Sequence, residues 1–312
     1  MVNCANFSVD SSKTLISIVG PTASGKTAAA IALANELKTA VVSADSRQLY
    51  RGMNIGTAKP NQEELQGVKH YLFDILNPDE ECSAGKFRTL ALTALQEIWQ
   101  KNDFAILVGG SGLYIRALWE GMDDMPPVAE EIRTKLEQDL AEKGLTYLVD
   151  ELKTADPETA SKADMKNPRR VVRALEVFRS TGIPISSFRK GKKEIIPWRN
   201  IKIGLMPDKE ILKARINERV DEMMQAGLLD EVLLLESKYG RECNALQTLG
   251  YREFFPFFDG SMSLEDAVER VKINSRDYAK RQLTWFKKDT EIEWMNTFSV
   301  EDFSIRMKDK LS

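Results

Sequence analysis

Gly20-Pro21-Thr22-Ala23-Ser24-Gly25-Lys26-Thr27 fits the phosphate-loop pattern of two glycines with four residues between them, followed by Lys and Thr. The apolar run Leu15, Ile16, Ile18, Val19 ahead of it reads as a buried strand. Thr27 to Leu37 behind it reads as an Ala-rich helix, so the octet sits at the strand-to-helix turn the motif requires. Gly20 and Gly25 let the backbone curl with its N–H groups inward, and the helix presents its positive dipole end to the same point. Together they make a seat for a diphosphate, a triphosphate or a nucleotide. Lys26 is expected to neutralise phosphate oxygens, and the Thr27 hydroxyl to hold a magnesium ion, Mg2+.

Working outward, Ala40 to Ala44 reads as a second strand that runs into Asp45-Ser46-Arg47-Gln48-Leu49-Tyr50. Ligands of open parallel α/β sheets bind at the carboxyl ends of the strands, so Asp45 is expected in the same crevice as the octet, placed to accept a proton. Its other reading is a cap on the next short helix. Gly56-Thr57-Ala58-Lys59-Pro60 is a loop with a cation inside it. His70 to Ile75 reads as a short strand. His70 is the single histidine and has no second His or Cys beside it, so it gets a structural reading. Ser83 to Gln100 has helical apolar spacing and leads to a strand over Phe104 to Val108, which ends in Gly109-Gly110-Ser111-Gly112-Leu113-Tyr114. That strand lacks the terminal Asp of a motor-type ATPase.

The 312 residues carry 44 Lys and Arg against 47 Asp and Glu, a net charge of -3, which argues against a generically basic nucleic-acid coat. Cys4, Cys82 and Cys243 are far apart, so neither a disulfide framework nor a zinc finger is supported. Met1 to Lys13 is polar, and no apolar run approaches membrane-spanning length. A cytoplasmic protein with no membrane association follows as the expectation.

Composition shifts at Gly121 to Pro127, after which Glu130 to Glu142, Tyr147 to Lys153 and Pro168 to Ser180 read as helices with no strand alternation. The expected fold class is α/β: a P-loop NTPase-like parallel sheet flanked by helices, with an all-helical insertion domain. Residues 1–122 form the first part of the core, 123–198 the insertion and 199–312 the second part. Between Lys162 and Lys202 twelve Lys and Arg face three Asp and Glu, with Phe188 and Trp198 interleaved. A solvated face and a polyanion-binding face both fit, the imbalance favouring the second. Ile201 to Leu205 reads as a returning strand. Asp208 caps a helix with Ile211, Leu212, Ile216, Val220, Met223 and Met224 facing inward. Arg215 and Arg219 are neighbours on one side of it, fitting either a solvent face or a lid over a leaving phosphate. A long helix from Leu264 to Lys288 ends in Tyr278-Ala279-Lys280-Arg281-Gln282-Leu283-Thr284-Trp285-Phe286-Lys287-Lys288, a mixture suited to gripping a nucleic-acid backbone or to ordinary amphipathic packing.

Taken together, Gly20 to Thr27, Asp45 to Tyr50, Gly56 to Pro60, Gly109 to Tyr114, Arg170-x-x-Arg173-Ala174-Leu175-Glu176, Arg215 to Gly227, Leu249-Gly250-Tyr251-Arg252 and Lys280 to Trp285 resemble the tRNA dimethylallyltransferase family in its order. The resemblance implies transfer of a dimethylallyl group from dimethylallyl diphosphate to N6 of the adenosine at tRNA position 37, beside the anticodon. It implies Lys26, Thr27 and Arg219 as catalytic groups around the diphosphate, with Asp45 holding and deprotonating N6. Facing the tRNA anticodon stem-loop it implies Asp45, Ser46, Arg47, Gln48, Ser111 and Arg133. It adds Arg169, Arg170 and Arg173, then Gln247 and Arg252, and on the C-terminal helix Lys280, Arg281, Gln282, Thr284 and Lys287. Ser111 stands where the family commonly has Thr. Without the paired cysteines of a C-terminal zinc finger, the chain resembles the bacterial form, and a monomer is expected. The rival readings are a small-molecule kinase, a prenyltransferase for free adenine nucleotides and a non-enzymatic RNA-binding module.

Overall fold

The computed structural model describes residues 12–189 and 196–303. Cys4, and Lys190, Lys192 and Lys193 of the basic stretch, lie outside the described residues. Six parallel strands form one sheet in the order β3-β2-β4-β1-β5-β6: β1 Thr14–Val19, β2 Val41–Ala44, β3 His70–Tyr71, β4 Phe104–Gly109, β5 Arg199–Leu205 and β6 Glu293–Met295. β1 lies between β4 and β5, and all six of its residues are buried. Its side chains alternate between two cores, as the pleat demands. Leu15 and Val19 join the cluster under α3 (Ala84–Trp99) and α4 (Gly112–Glu120), while Ile16 and Ile18 join the one under α1 (Lys26–Leu37). A strand buried on both faces reads as a continuous apolar run, which is why β1 was legible.

The chain divides into two compact units: the described residues up to Glu120 and from 196 onward make the α/β unit, and Gly121 onward to 189 makes the second. The second unit is all helical. It holds α5 (Glu130–Ala155), interrupted at Gly144, then α6 (Pro157–Lys162), α7 (Pro168–Thr181) and α8 (Ile185–Phe188), around Leu136, Leu148, Leu152, Val171 and Leu175. α4, α6 and α8 are absent from the sequence reading, and the short strand expected over His70 to Ile75 is limited to His70–Tyr71. Leu72 and Asp74 take positive φ, which ends the strand.

Three further points correct the sequence reading. Trp198, placed in the basic insertion, is buried in the α/β unit against Trp99, ring centroids 5.2 Å apart. Lys202, counted in the basic patch, is also buried there. Its ammonium is neutralised by Asp289 at 2.7 Å and Glu291 at 2.6 Å and lies over the Trp119 ring. Ile211, placed on the inward face of α9 (Lys209–Gln225), is 50% exposed, whereas Leu212, Ile216 and Val220 are buried. After α9 come α10 (Leu228–Tyr239), a 3-10 turn at Arg252–Phe254, α11 (Phe255–Phe258) and α12 (Leu264–Phe286). α9, α10, the turn and α12 share a core built on Val220, Val232, Tyr251, Phe254 and Val271. α2 (Gln62–Leu65) is a short helix capped by Asn61.

Candidate active site

The octet leaves β1 and enters α1 through Gly25, whose φ of 87° lies in the left-handed region that glycine adopts without a Cβ penalty. Ala23 holds φ 61° without that exemption, a strained position inside the loop. No side chain caps α1 and its first turn carries no acid, so the leading N–H groups remain available to an anion. Ser24 Oγ is buried without a hydrogen-bond partner among the described residues. Lys26 Nζ donates to Pro21 O at 2.9 Å. Loss of water around its ammonium, and the nearby Arg219 cation, lower its pKa to about 8 against the opposing pull of Asp45. Such a site has positive charge held at a cost until an anion arrives.

Asp45 follows β2, and its Oδ1 accepts the Arg47 backbone N–H at 2.9 Å. The alternative reading of Asp45 as a helix cap gives way to a turn, since Ser46 to Gly52 contains no helix. Its Oδ2 has no protein donor among the described residues. Ser111, after β4, ties the two strand ends together by accepting the Ser46 N–H at 2.9 Å. Gln48 Nε2 donates to the carbonyls of Thr57 and Ala58 at 3.1 and 3.2 Å, which sets the loop beside the crevice. That loop is pinned from α10: Glu231 accepts the N–H groups of Asn54, Ile55 and Gly56 at 2.8 to 3.0 Å, and the Tyr251 hydroxyl at 2.7 Å.

α12 closes the other side. Gln282 is buried; its amide nitrogen donates to Gly110 O at 3.0 Å and its oxygen accepts the Thr22 N–H at 2.8 Å, bridging the ends of β1 and β4. A Cβ on Gly110 would stand 2.1 Å from that amide, so only glycine allows the approach. One turn earlier, Tyr278 faces the same space, with burial and the Asp45 charge pushing its phenol up to about 12. It stays neutral and able to donate. Arg219 of α9 donates weakly to Thr22 Oγ1 at 3.4 Å. Burial lowers the pKa of its guanidinium, which nevertheless stays a cation. Arg215, its neighbour on α9, is exposed, which splits the pair that spacing alone left open.

Lys26, Thr27, Asp45, Gln48, Phe73, Arg219 and Tyr278 thereby line one recess of about 520 Å³. A second recess of about 1160 Å³ shares Asp45, Arg219 and Tyr278 with it and adds Ser46, Arg47, Gln247, Arg252 and Arg281. Of the other residues expected to face tRNA, Lys280 and Lys287 line a separate apolar recess between α9 and α12, and Thr284 bonds its own helix at Lys280 O. Arg133, Arg169, Arg170 and Arg173 belong to the helical unit. There Arg133 and Arg173 both reach Glu176, and Arg169 and Arg170 are exposed. Arg179, also counted in the basic stretch, is spent on Asp139 and Glu151. Tyr278, Phe73 and Glu231 carry no motif and escaped the sequence reading as site residues. Among the described residues no cluster of three His, Cys, Asp or Glu side chains could hold a metal on its own, and no helix is long and apolar enough to cross a membrane. A magnesium ion held by one hydroxyl and by substrate phosphates needs no such cluster, and the Thr27 hydroxyl and the Asp45 carboxylate, which line the same recess, are oxygen donors of the right hardness.

Strand-end loops that gather an anion seat, a carboxylate and a half-buried arginine around one recess define a phosphate-loop α/β protein with a two-part crevice. A family model described as IPP transferase matches residues 48–289, and the chain belongs to that family. It is 46% identical over 299 residues to a tRNA dimethylallyltransferase of Cytophaga hutchinsonii, covering 96% of this chain and 98% of that one. To the tRNA dimethylallyltransferase of Geobacillus thermodenitrificans it is 43% identical, over 95% of this chain and 94% of the relative. The crystal structure of the tRNA isopentenylpyrophosphate transferase of Bacillus halodurans superposes with a TM-score of 0.70 at 38% identity, covering 96% and 95% of the two chains. A eukaryotic dimethylallyltransferase acting on tRNA reaches 0.80 at 26% identity, over 96% of this chain and 77% of that one.

Proposed function

We propose that the chain transfers the dimethylallyl group of dimethylallyl diphosphate to N6 of adenosine 37 in tRNA, giving N6-dimethylallyladenosine and diphosphate. The observation that carries this reading is the single recess in which the Asp45 carboxylate, the Lys26 ammonium and the Arg219 guanidinium meet. The two cations suit a diphosphate leaving group, and the carboxylate suits an amine that must lose a proton.

The diphosphate sits on the N–H groups of the octet with Lys26, and Arg219 covers it from α9. As the allylic carbon–oxygen bond breaks, its electron pair stays with the diphosphate, whose growing charge these groups stabilise. N6 attacks the same carbon, and Asp45 takes the proton it releases. A magnesium ion held by Thr27 supplies additional positive charge to the diphosphate when bound. The neutral Tyr278 phenol donates to whatever oxygen or ring nitrogen is brought against it. An adenine stacked in an anticodon loop cannot reach Asp45, so the base is flipped into the crevice through the second recess. Arg47, Arg252 and Arg281 line that entrance as phosphate contacts, and the exposed Arg169 and Arg170 of the helical unit add others. Each of these groups comes from one chain, so a monomer suffices.

The test is incubation with unmodified tRNA, magnesium and labelled dimethylallyl diphosphate, followed by nucleoside analysis. Label is expected in N6-dimethylallyladenosine. Unlabelled tRNA together with ATP turnover on a small acceptor would replace this reading with a kinase.

A further inference from the structure

Most of the side chains that line the recess are polar, and Ala58, Phe73 and Val108 supply its apolar ones. Phe73 contributes the large ring without a polar atom. The backbone that carries it is held in an uncommon way: Leu72 and Asp74, on either side, have φ of 70° and 52°, a region that residues other than glycine seldom occupy. Such geometry persists where the surroundings over-determine it. Here they do. The Asp74 carboxylate takes the Lys59 ammonium at 2.6 Å, and Lys59 is itself anchored on Tyr50 O and Asn54 Oδ1. The Ile75 N–H donates to Leu49 O at 2.9 Å, and Leu72 is buried in the core. His70 stacks on the Phe73 ring, centroids 5.2 Å apart and planes within 10°.

We propose that Phe73 is the chain-length wall of the prenyl site, a specificity-determining residue that stops the hydrocarbon after one five-carbon unit; this rests on the dimethylallyl diphosphate reading above. The diphosphate is fixed by Lys26 and Arg219, and the allylic carbon must lie within reach of Asp45 and N6. The tail is then left with these apolar side chains. A second isoprene unit would meet the Phe73 ring, which cannot yield because His70 backs it and the Lys59–Asp74 pair fixes its backbone. A flexible methionine in that place would adapt. One surplus methylene in a fitted pocket already discriminates by roughly 10- to 200-fold, so a rigid wall against five carbons discriminates by at least about a thousand-fold.

The experiment compares kcat/KM for dimethylallyl and geranyl diphosphate on the same tRNA, for the wild type and for Phe73→Ala, Phe73→Leu and Lys59→Met. The wild type is expected to favour dimethylallyl by at least about a thousand-fold. Phe73→Ala narrows that ratio by about ten-fold or more, chiefly through gained geranyl transfer, while Phe73→Leu and Lys59→Met narrow it less. Wild-type transfer of both chains at similar rates overturns the wall. So does a folded Phe73→Ala protein that loses both substrates in proportion, and, should Phe73→Ala not fold, an unchanged ratio in Phe73→Leu. A wild type that transfers no dimethylallyl group to tRNA overturns the underlying reading first and the wall with it.

Discussion

Replacing Lys26 by methionine is expected to abolish transfer and to make the ligand-free protein more stable. The ammonium is desolvated beside Arg219, and its pKa of about 8 against 10.5 in the unfolded chain measures the cost, about 3 kcal/mol at roughly 1.4 kcal/mol per pH unit of difference. Methionine fills the same space without charge. It gives up the bond to Pro21 O, worth about 1 kcal/mol, which leaves a net gain of about 2 kcal/mol at pH 7. For a chain of this size that is a rise in Tm of about 3 °C. The pH dependence has a definite sign. Between pH 8 and 10.5 the unfolded wild type still holds a proton that the folded wild type has released, so wild-type stability climbs across this window and the advantage of the variant fades. Ligand reverses the order. Inorganic diphosphate with magnesium at one hundred times its Kd stabilises the wild type by about 2.7 kcal/mol, and the variant lacks the cation that binds it. Differential scanning calorimetry at pH 7 and pH 10, with and without diphosphate, gives the four values needed for each protein. A Lys26→Met protein that melts below the wild type at pH 7 without ligand, or a gap that does not shrink toward pH 10, refutes the reasoning.

Other perturbations separate chemistry from architecture. Asp45→Asn keeps an acceptor for the Arg47 N–H and so leaves the turn intact, but removes the base; kcat should fall about 10²- to 10⁴-fold with tRNA affinity unchanged, and single-turnover rates within three-fold of wild type would count against the role of Asp45. Glu231→Ala strands three loop N–H groups and the Tyr251 hydroxyl, for an expected loss of about 2 kcal/mol in urea denaturation with partial recovery in Glu231→Gln; a change below about 0.5 kcal/mol would show that water replaces the carboxylate. Arg169→Ala and Arg170→Ala should each reduce the slope of log affinity for tRNA against log salt by about 1, and an unaltered slope removes that residue from the interface. His70, whose pKa is lowered by burial, must be protonated to unfold in acid. Wild-type stability should therefore fall as pH drops below about 6.5, while His70→Phe, which keeps the stack on Phe73, should lose that dependence between pH 7 and 5; equal slopes would assign the acid sensitivity to other groups.

Much of the α/β scaffold was legible because its signals are local. β1 is an apolar run followed by an octet whose glycines have backbone reasons to be there, and α7 begins at Asn167-Pro168, a cap followed by a proline at the first turn. Where the reading failed, burial had overridden composition. Lys202 looks like one more cation in a basic stretch, yet two acids some ninety residues further along the chain, Asp289 and Glu291, neutralise it inside the fold. Trp198 looks like an aromatic interleaved with positive charge, and a tryptophan on α3 claims it for the core. Ile211 satisfies the helical apolar spacing of α9, but it falls just beyond the stripe that Leu212, Ile216 and Val220 bury, and a period of 3.6 cannot say where a stripe ends.

The site divides along the same line. Lys26, Thr27 and Asp45 are marked in the sequence because a phosphate loop and a strand end constrain the neighbouring backbone, and such constraints leave a short pattern. The groups that orient them have no local signature. Gln282, expected from the resemblance to face tRNA, is buried and its amide meets the phosphate loop at the Thr22 N–H from 260 positions away, a contact nothing near it in the sequence marks. The same amide accepts from one strand end and donates to the other, so replacing it with leucine would leave the Thr22 N–H and the Gly110 carbonyl unpaired where water is excluded. Tyr278 follows from Gln282, because residues four apart share a helix face: once one faces the crevice, the other must. Residues that ligands touch are thus set by local geometry, while those that hold them are set by which helix the topology returns to the crevice, and the second kind becomes readable only when the first has been located in space.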